Sequence, residues 1–517
     1  MSNVDDQTKM AGFVKILRTH GEGQERGDAS MSSIVRGWFI NSVLVCSALG
    51  IAMPAGFAQS PVRDPGVRPV IEWGRIGGWP SDACPSVVLR PVPGLTDSQQ
   101  QLFCAGAQEF AKEDLVKEDG LGPTFNLTSC IGCHQFPMSG GSSPLGRNPQ
   151  YDFAARSYPA GTNTIPSFVR PDGPVREARF KQHLDAPGQP ADGGVHSIFT
   201  VTGLADADGC VLKQEDFQKE IDRKNVIFRI PTPTFGAGLI EQIDDKTIVD
   251  NVNYQASRVF GDAKAVSVAR ARVNLVQPFH TNGSENRNGN DGTIARFGWK
   301  AQNKSLLIFA GEAYNVEIGI SNEVFPTERE EKKECQFHTV PNDTTHPENL
   351  ADPDPKVRFD ALSDVEKFAA FMRFLAPPEL STDTPGGSAS IALGAQTFDK
   401  IGCSACHTPE LQTSPIATVA ALRDKPVRLY SDLALHKMGD LADGISQGVA
   451  AKDEFRSAPL WGLGQRVFFL HDGRTSDLVQ AIQAHDSNGS DAKPVIELYE
   501  ALSNKEKQDL LNFLRSL

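Results

Sequence analysis

Two short frames carry the most specific chemistry in the chain. Cys130-Ile-Gly-Cys133-His134 and Cys403-Ser-Ala-Cys406-His407 share the pattern C-x-x-C-H. The chain has 9 cysteines and 11 histidines among 517 residues, so chance supplies only about 0.003 such frames per chain. Two thiols at this spacing reach the two vinyl groups of one haem and form thioethers. The imidazole that follows then meets the iron. A zinc site would want its C-x-x-C pairs close together, and a thioredoxin-type pair would not demand His after each second Cys. The frames imply two covalently bound c-type haems on Cys130, Cys133, Cys403 and Cys406, with His134 and His407 as proximal iron ligands.

The far side of each iron decides what it does. Two strong ligands make a sealed electron carrier, whereas an open site allows chemistry. Near the second frame the candidate ligands are His436, Met438, His471 and His485. After His134 the next histidines are His183 and His196, far along the chain. The simplest consequence is an open first haem, and completion by His183 or His196 is the alternative.

The elements that must position these frames repeat as well. Phe125 and Phe398 each precede the first Cys of a frame by five residues, with Gly122 and Gly394 close behind them. Leu362-Ser363-Asp364-Val365-Glu366 and Leu502-Ser503-Asn504-Lys505-Glu506 both carry the S-x-x-E capping box, so each opens a helix. Phe371, Phe374 and Leu375 line one face of the first, and Leu510, Leu511, Leu514 and Leu517 one face of the second. Pro377-Pro378 stops the first. Upstream, Thr96 or Ser98 caps a helix predicted to run to about Val116, with Phe103, Ala107, Phe110 and Ala111 on its apolar face. Residues 59–92 are Pro-rich and expected to wrap the surface.

Each unit thus reads as haem frame, variable middle and closing helix, the plan of a c-type cytochrome domain. The expected fold is mostly α, with two cytochrome c-like haem domains at 59–380 and 381–517. The first carries a large insertion, about 140–360, with strand character at 198–204 and 224–233. Its polar stretch from Thr281 to Gly292 lacks the EF-hand order and reads as a solvated loop. The stretch 381–390 (STDTPGGSAS) marks the boundary.

Composition limits the partners. The net charge of −13 argues against nucleic acid, which needs a basic face. Arg36, the apolar run from Gly37 to Ala52 and the exit Gly56-Phe57-Ala58 describe a secretory signal over residues 1–58, with Met31 as an alternative start. The run is short for an uncleaved anchor, and no other stretch is long enough to span a bilayer. A periplasmic location without a stable span is expected. Cys46 falls in the signal. Cys84, Cys104, Cys210 and Cys335 remain, an even number in an oxidising compartment. Of three possible pairings we expect 84–104 and 210–335, with a buried free thiol at Cys104 as the alternative.

The stretches 120–137 (GLGPTFNLTSCIGCHQFP), 231–241 (PTPTFGAGLIE), 296–302 (RFGWKAQ), 430–440 (YSDLALHKMGD) and 458–482 (APLWGLGQRVFFLHDGRTSDLVQAI) resemble the dihaem cytochrome c peroxidase superfamily. The resemblance is closest to its bacterial dihaem oxidoreductase branch, described as peroxidases or thiol oxidoreductases. It implies that the first haem meets peroxide while the second relays electrons from a small cytochrome c or cupredoxin donor. It also implies calcium between the domains. In the superfamily a methionine follows the HDG motif by about one helix length and binds the second iron. Here His485 stands at that place after His471-Asp472-Gly473 and is the expected ligand, with Met438 as rival. His436 and His471 are expected as hydrogen-bonding residues. Peroxide cleavage needs a proton acceptor and donor. Glu241 is the candidate, with Gln242 as helper, and His471 and Trp461 complete the catalytic set. Trp461 or Trp299 would lie between the haems. Oxidation of thiols or protein side chains, and a non-enzymatic dihaem carrier, are the competing functions.

Overall fold

The computed structural model describes residues 61–68, 90–156, 163–181, 200–203, 206–257, 274–275, 280–281, 284–285, 293–326, 333–338 and 340–517. The expected signal, Cys84, His183, His196 and most of the Thr281–Gly292 loop lie outside them.

The first helix, α1 (Asp97–Ala111), starts at a full capping box: Thr96 accepts from the Gln99 N–H and Gln99 returns to the Thr96 N–H. It buries Phe103, Ala107 and Phe110. It stops short of Val116 because the Asp114 N–H donates to Thr128 O, 2.8 Å, and turns the chain toward the first frame. That frame is the short turn α2 (Cys130–Cys133). In the inserted region β1 (Glu177–Phe180) pairs antiparallel with β2 (Val226–Arg229), setting Glu177 opposite Arg229. The short helix α3 (Ala237–Glu241) follows. Then α4 (Leu306–Ala313) runs into a π-helical turn, Tyr314–Ile318. Next come α5 (Asp364–Phe374), capped by Ser363 and Glu366, and α6 (Ser388–Lys400). Strands β3 (Leu435–Lys437) and β4 (Glu454–Arg456) pair antiparallel. The chain closes with α7 (Leu478–Gln483), α8 (Lys493–Glu500) and α9 (Asn504–Ser516), the last capped by Ser503 and Glu506.

Two helix crossings frame the two haem motifs, each made at a glycine. A Cβ on Gly106 of α1 would lie 2.3 Å from Lys367 O of α5, and one on Gly394 of α6 would lie 2.0 Å from Asp509 O of α9. Only glycine admits such close backbones. Gly106, not Gly122, is therefore the counterpart of Gly394; Gly122 packs on Gly319 instead. Around the crossings lie two main apolar clusters. One gathers Phe103, Phe110, Phe125, Phe368 and Phe371. The other gathers Phe398, Tyr499, Leu510, Leu511 and Phe513. Residues 59–517 nevertheless form one compact unit.

The extended segment 61–68 lies against the closing helix. Asp64 binds the buried Arg515 through two oxygens, 2.7 and 2.6 Å, and accepts from the Leu478 N–H at 3.0 Å. Cys210 and Cys335 form a disulfide with Cα atoms 4.8 Å apart. Cys104 is disulfide-bonded too, so it is not the free thiol weighed above. Among the described residues, the strands form only two-stranded sheets, and no helix is long and apolar enough to cross a membrane.

Candidate functional site

His134 ends α2, and its backbone N–H donates to Cys130 O. Its Nδ1 lies 3.0 Å from Gly141 O, which places the proton on Nδ1, and the Thr232 backbone is a second hydrogen-bonding neighbour of the ring. Burial pushes this imidazole down to about 4, so it is neutral at pH 7. A neutral imidazole is what an iron ligand requires. His134, Cys130 and Cys133 line a cavity of about 1090 Å³, and both thiols are free.

The polar lining of this first cavity comes from the inserted region. Alternation along β1 sends Glu177 and Arg179 to one face, and Arg229 sits opposite Glu177 on β2. All three line the cavity. Arg179 holds Glu177 at 2.9 Å. The π-turn adds Tyr314 and Glu317; such turns often occur at functional sites. Burial first, then the neighbouring Glu177, push the Glu317 carboxyl well above its usual range. The Nη1 of Arg179 and Nε of Arg229 are buried without a partner among the described residues.

The second frame lines a cavity of about 1400 Å³ with mostly apolar walls and no carboxylate. His407 Nδ1 lies 3.1 Å from Tyr430 O, the same arrangement as in His134. Burial, then the nearby His485, push His407 down to about 4. His485 lines the cavity and ties its own Nδ1 to Ala481 O at 2.8 Å. Met438 lines the same cavity. His436 is held by Asp432 at 2.9 Å. His471 stacks on Phe455 with ring centres 4.4 Å apart.

A smaller space of about 550 Å³ lies between these two and shares walls with both. Trp299 lines all three. Its Nε1 donates to Ile230 O at 2.9 Å, and its ring meets His471 edge-on at 6.3 Å. Trp461 lines only the middle space.

Glu241 and Gln242 line none of these cavities. The Glu241 carboxylate is taken by Arg373 at 2.7 Å and by the Leu306 N–H at 2.8 Å. Its place at the end of α3 turns it toward α4 and α5. Gln242 accepts from the Ser414 N–H through its backbone O. The structure does not bring these two into the linings; the carboxyls that line the His134 cavity are Glu177 and Glu317. No motif marked them, because a cross-strand pair and a π-turn become neighbours only through the fold. No group of three or more His, Cys, Asp or Glu that could hold a metal occurs among the described residues, so the expected calcium finds no such cluster there.

Both cavities fit haem. Each offers paired free thiols, an imidazole that burial keeps neutral and a largely apolar wall, and the first adds two guanidinium nitrogens, Arg179 Nη1 and Arg229 Nε, without a partner among the described residues. Residues 190–517 match the family model described as "Di-haem oxidoreductase, putative peroxidase". The chain belongs to this family. As a dihaem oxidoreductase it is a redox protein that works with haem, and the match covers the second frame, Trp299, Glu317 and His485. No curated protein sequence matches the chain. Among solved structures it is similar to a chain of Kuenenia stuttgartiensis hydrazine synthase pressurised with xenon, at 18% identity and TM-score 0.21, covering 32% of this chain and 59% of that one. It is also similar to a MauG-like protein associated with microbial copper homeostasis, at 15% identity and TM-score 0.27, covering 56% of this chain and 90% of that one.

Proposed function

We propose that the protein is a periplasmic dihaem c-type oxidoreductase that reduces peroxide in the first cavity and takes in electrons through the second. The carrying observation is the contrast between the linings. The first has one histidine, His134, beside the carboxyl pair Glu177 and Glu317. The second has His485 as well as His407 and no carboxylate.

In this proposal thioethers to Cys130, Cys133, Cys403 and Cys406 hold the haems, His134 and His407 are proximal ligands, and His485 is the second ligand of the second haem. Haem, when bound, supplies iron that exchanges electrons with substrate and donor. The protein supplies the protons. Glu177, paired with Arg179, accepts the proton of an incoming peroxide oxygen. Glu317, its carboxyl raised by burial, donates to the leaving oxygen, which departs as water. Two carboxyls with unequal environments divide the base and acid roles. Trp299 bridges the cavities. The electron donor is a small redox protein.

A second reading, a sealed electron carrier, rests on Met372, whose thioether also lines the first cavity. Low-temperature EPR of the air-oxidised protein tests the choice. The peroxidase proposal expects one high-spin and one low-spin ferric signal, with peroxide consumed by reduced protein. Two low-spin signals that survive half-reduction would leave the carrier.

A further inference from the structure

The second cavity is mostly apolar, and along one seam Arg456 and Arg466 line both it and the middle space. Neither space has a carboxylate in its wall. Arg466 makes no side-chain hydrogen bond or ion pair with a described residue; its Nε and Nη2 are shut off from solvent and unpartnered. Its guanidinium sits over the Trp299 ring, 5.8 Å from the ring centre. Arg456 is only 8% exposed. Its Nε donates to Gly298 O at 3.1 Å. The nearest acid, Asp432, is committed to His436, the Ala434 N–H and Ser457. Burial first, and then the charge of Arg466, push Arg456 down to about 10.

Two neighbouring buried cations without an anion are strongly unfavourable. Guanidinium groups match carboxylates in shape and charge. The ligand that completes this seam is therefore apolar over most of its surface and carries carboxylates at one edge. We infer that Arg456 and Arg466 clamp the propionates of the haem in the second cavity and thereby set its reduction potential. This inference rests on the proposed haem occupancy of that cavity.

The consequence is electrostatic. Cations held beside the propionates keep them ionised and favour the reduced, less positive haem. The other titratable groups facing this cavity are His407, His436, His471, His485 and Tyr499. His407 and His485 are the proposed iron ligands, and Asp432 holds His436. Burial pushes His471 down to about 4 and Tyr499 up to about 12. Burial would lower His436, but Cys406 and Asp432 outweigh it and raise the imidazole well above its usual range, so its charge is paired with Asp432.

The test is a spectroelectrochemical titration of the low-spin haem from about pH 5 to pH 8, on full-length protein with its haem content counted by pyridine haemochrome. Wild type and R466K should give a nearly pH-independent midpoint. R466Q and R456Q should shift it downward at the alkaline end and make it climb as pH falls, because an unpaired propionate then takes up a proton on reduction. Two-haem R466Q and R456Q proteins with the wild-type midpoint and no pH slope would overturn the clamp. If R466Q does not fold, R456Q against R466K carries the same comparison. Wild-type protein with fewer than two haems would overturn the haem assignment itself, which the haem count reports separately from the potential.

Discussion

Replacing Glu317 and Glu241 in turn separates a carboxyl that moves protons from one that holds structure. Glu317 lines the first cavity beside Glu177, and burial raises its carboxyl well above the usual range. Glutamine preserves its shape and removes only its ability to give up a proton. Positioned proton transfer contributes about 10²–10⁴ in rate, so Glu317→Gln should lower kcat for peroxide by about 10²–10³ while the melting temperature stays near wild type. The wild-type rate should fall as pH climbs through the raised Glu317 value, since the acid form is lost there. Glu241 has the opposite profile. Its side chain is 11% exposed and accepts from Arg373 and Leu306. Losing one charge-assisted interaction at such a site costs about 1.5–3 kcal/mol. Glu241→Gln should therefore lower the denaturation midpoint and leave turnover within about twofold, far short of a lost proton-transfer residue. Steady-state peroxide reduction with a reduced dye donor and denaturant titration read the two effects separately. If Glu241→Gln lost turnover as Glu317→Gln does, or Glu317→Gln kept the wild-type rate, the assignment of Glu317 would be refuted.

Three further outcomes are expected. Gly394→Ala should cost roughly 1–3 kcal/mol by overpacking, because a Cβ there meets Asp509 O at 2.0 Å and must push α6 and α9 apart; an unchanged denaturation midpoint would contradict the tight crossing. For Asp64, burial alone would raise its carboxyl, but Arg515 and the Gly66 and Leu478 N–H groups outweigh it and hold the carboxyl below its usual range. Its stabilisation is thus present above the unfolded value of about 3.9 and lost as pH falls through the lower folded value. Asp64→Asn should cost about 3–5 kcal/mol at neutral pH, a difference from wild type that shrinks in acid, as urea titrations at several pH values would show. Trp299→Phe loses the bond to Ile230 O and part of the wall shared by all three spaces; electron transfer between two loaded haems should slow in stopped-flow traces, and an unchanged rate would exclude Trp299 from the path.

What was legible in the sequence was local. The capping boxes at Ser363 and Ser503 need only four consecutive residues, and both helices start there. The C-x-x-C-H frames likewise came from composition and spacing, whereas Cys210–Cys335 was a choice among three possible pairings of an even cysteine set. His485 was expected only through the resemblance, which puts a ligand about one helix length after the HDG motif, and it lines the second cavity. The acidic pair was not legible. Glu177 reaches the first cavity through strand alternation and Glu317 through a π-turn, and neither has a sequence signature. Glu241 misled because a carboxylate in a matching motif looks the same whether it faces a cavity or caps the next helix. Gly106 was missed because its partner, Lys367, lies far along the chain.

The two halves differ for a reason that follows from this. Both use the same frame, a glycine-crossed helix pair and a carbonyl that fixes the histidine tautomer. Left at that, they would build two similar haem pockets. The inserted region breaks the equivalence. It brings β1, β2 and the π-turn, and with them every carboxyl in the wall of the first cavity. The second half has no such insertion, and the end of α7 supplies an imidazole instead. A carboxyl pair suits proton transfer to a bound substrate, and an opposing imidazole suits a closed electron relay. The division of labour proposed here therefore resides in the insertion, and exchanging Glu177 and Glu317 for apolar residues should remove peroxide turnover while the low-spin signal of the second haem stays as it was.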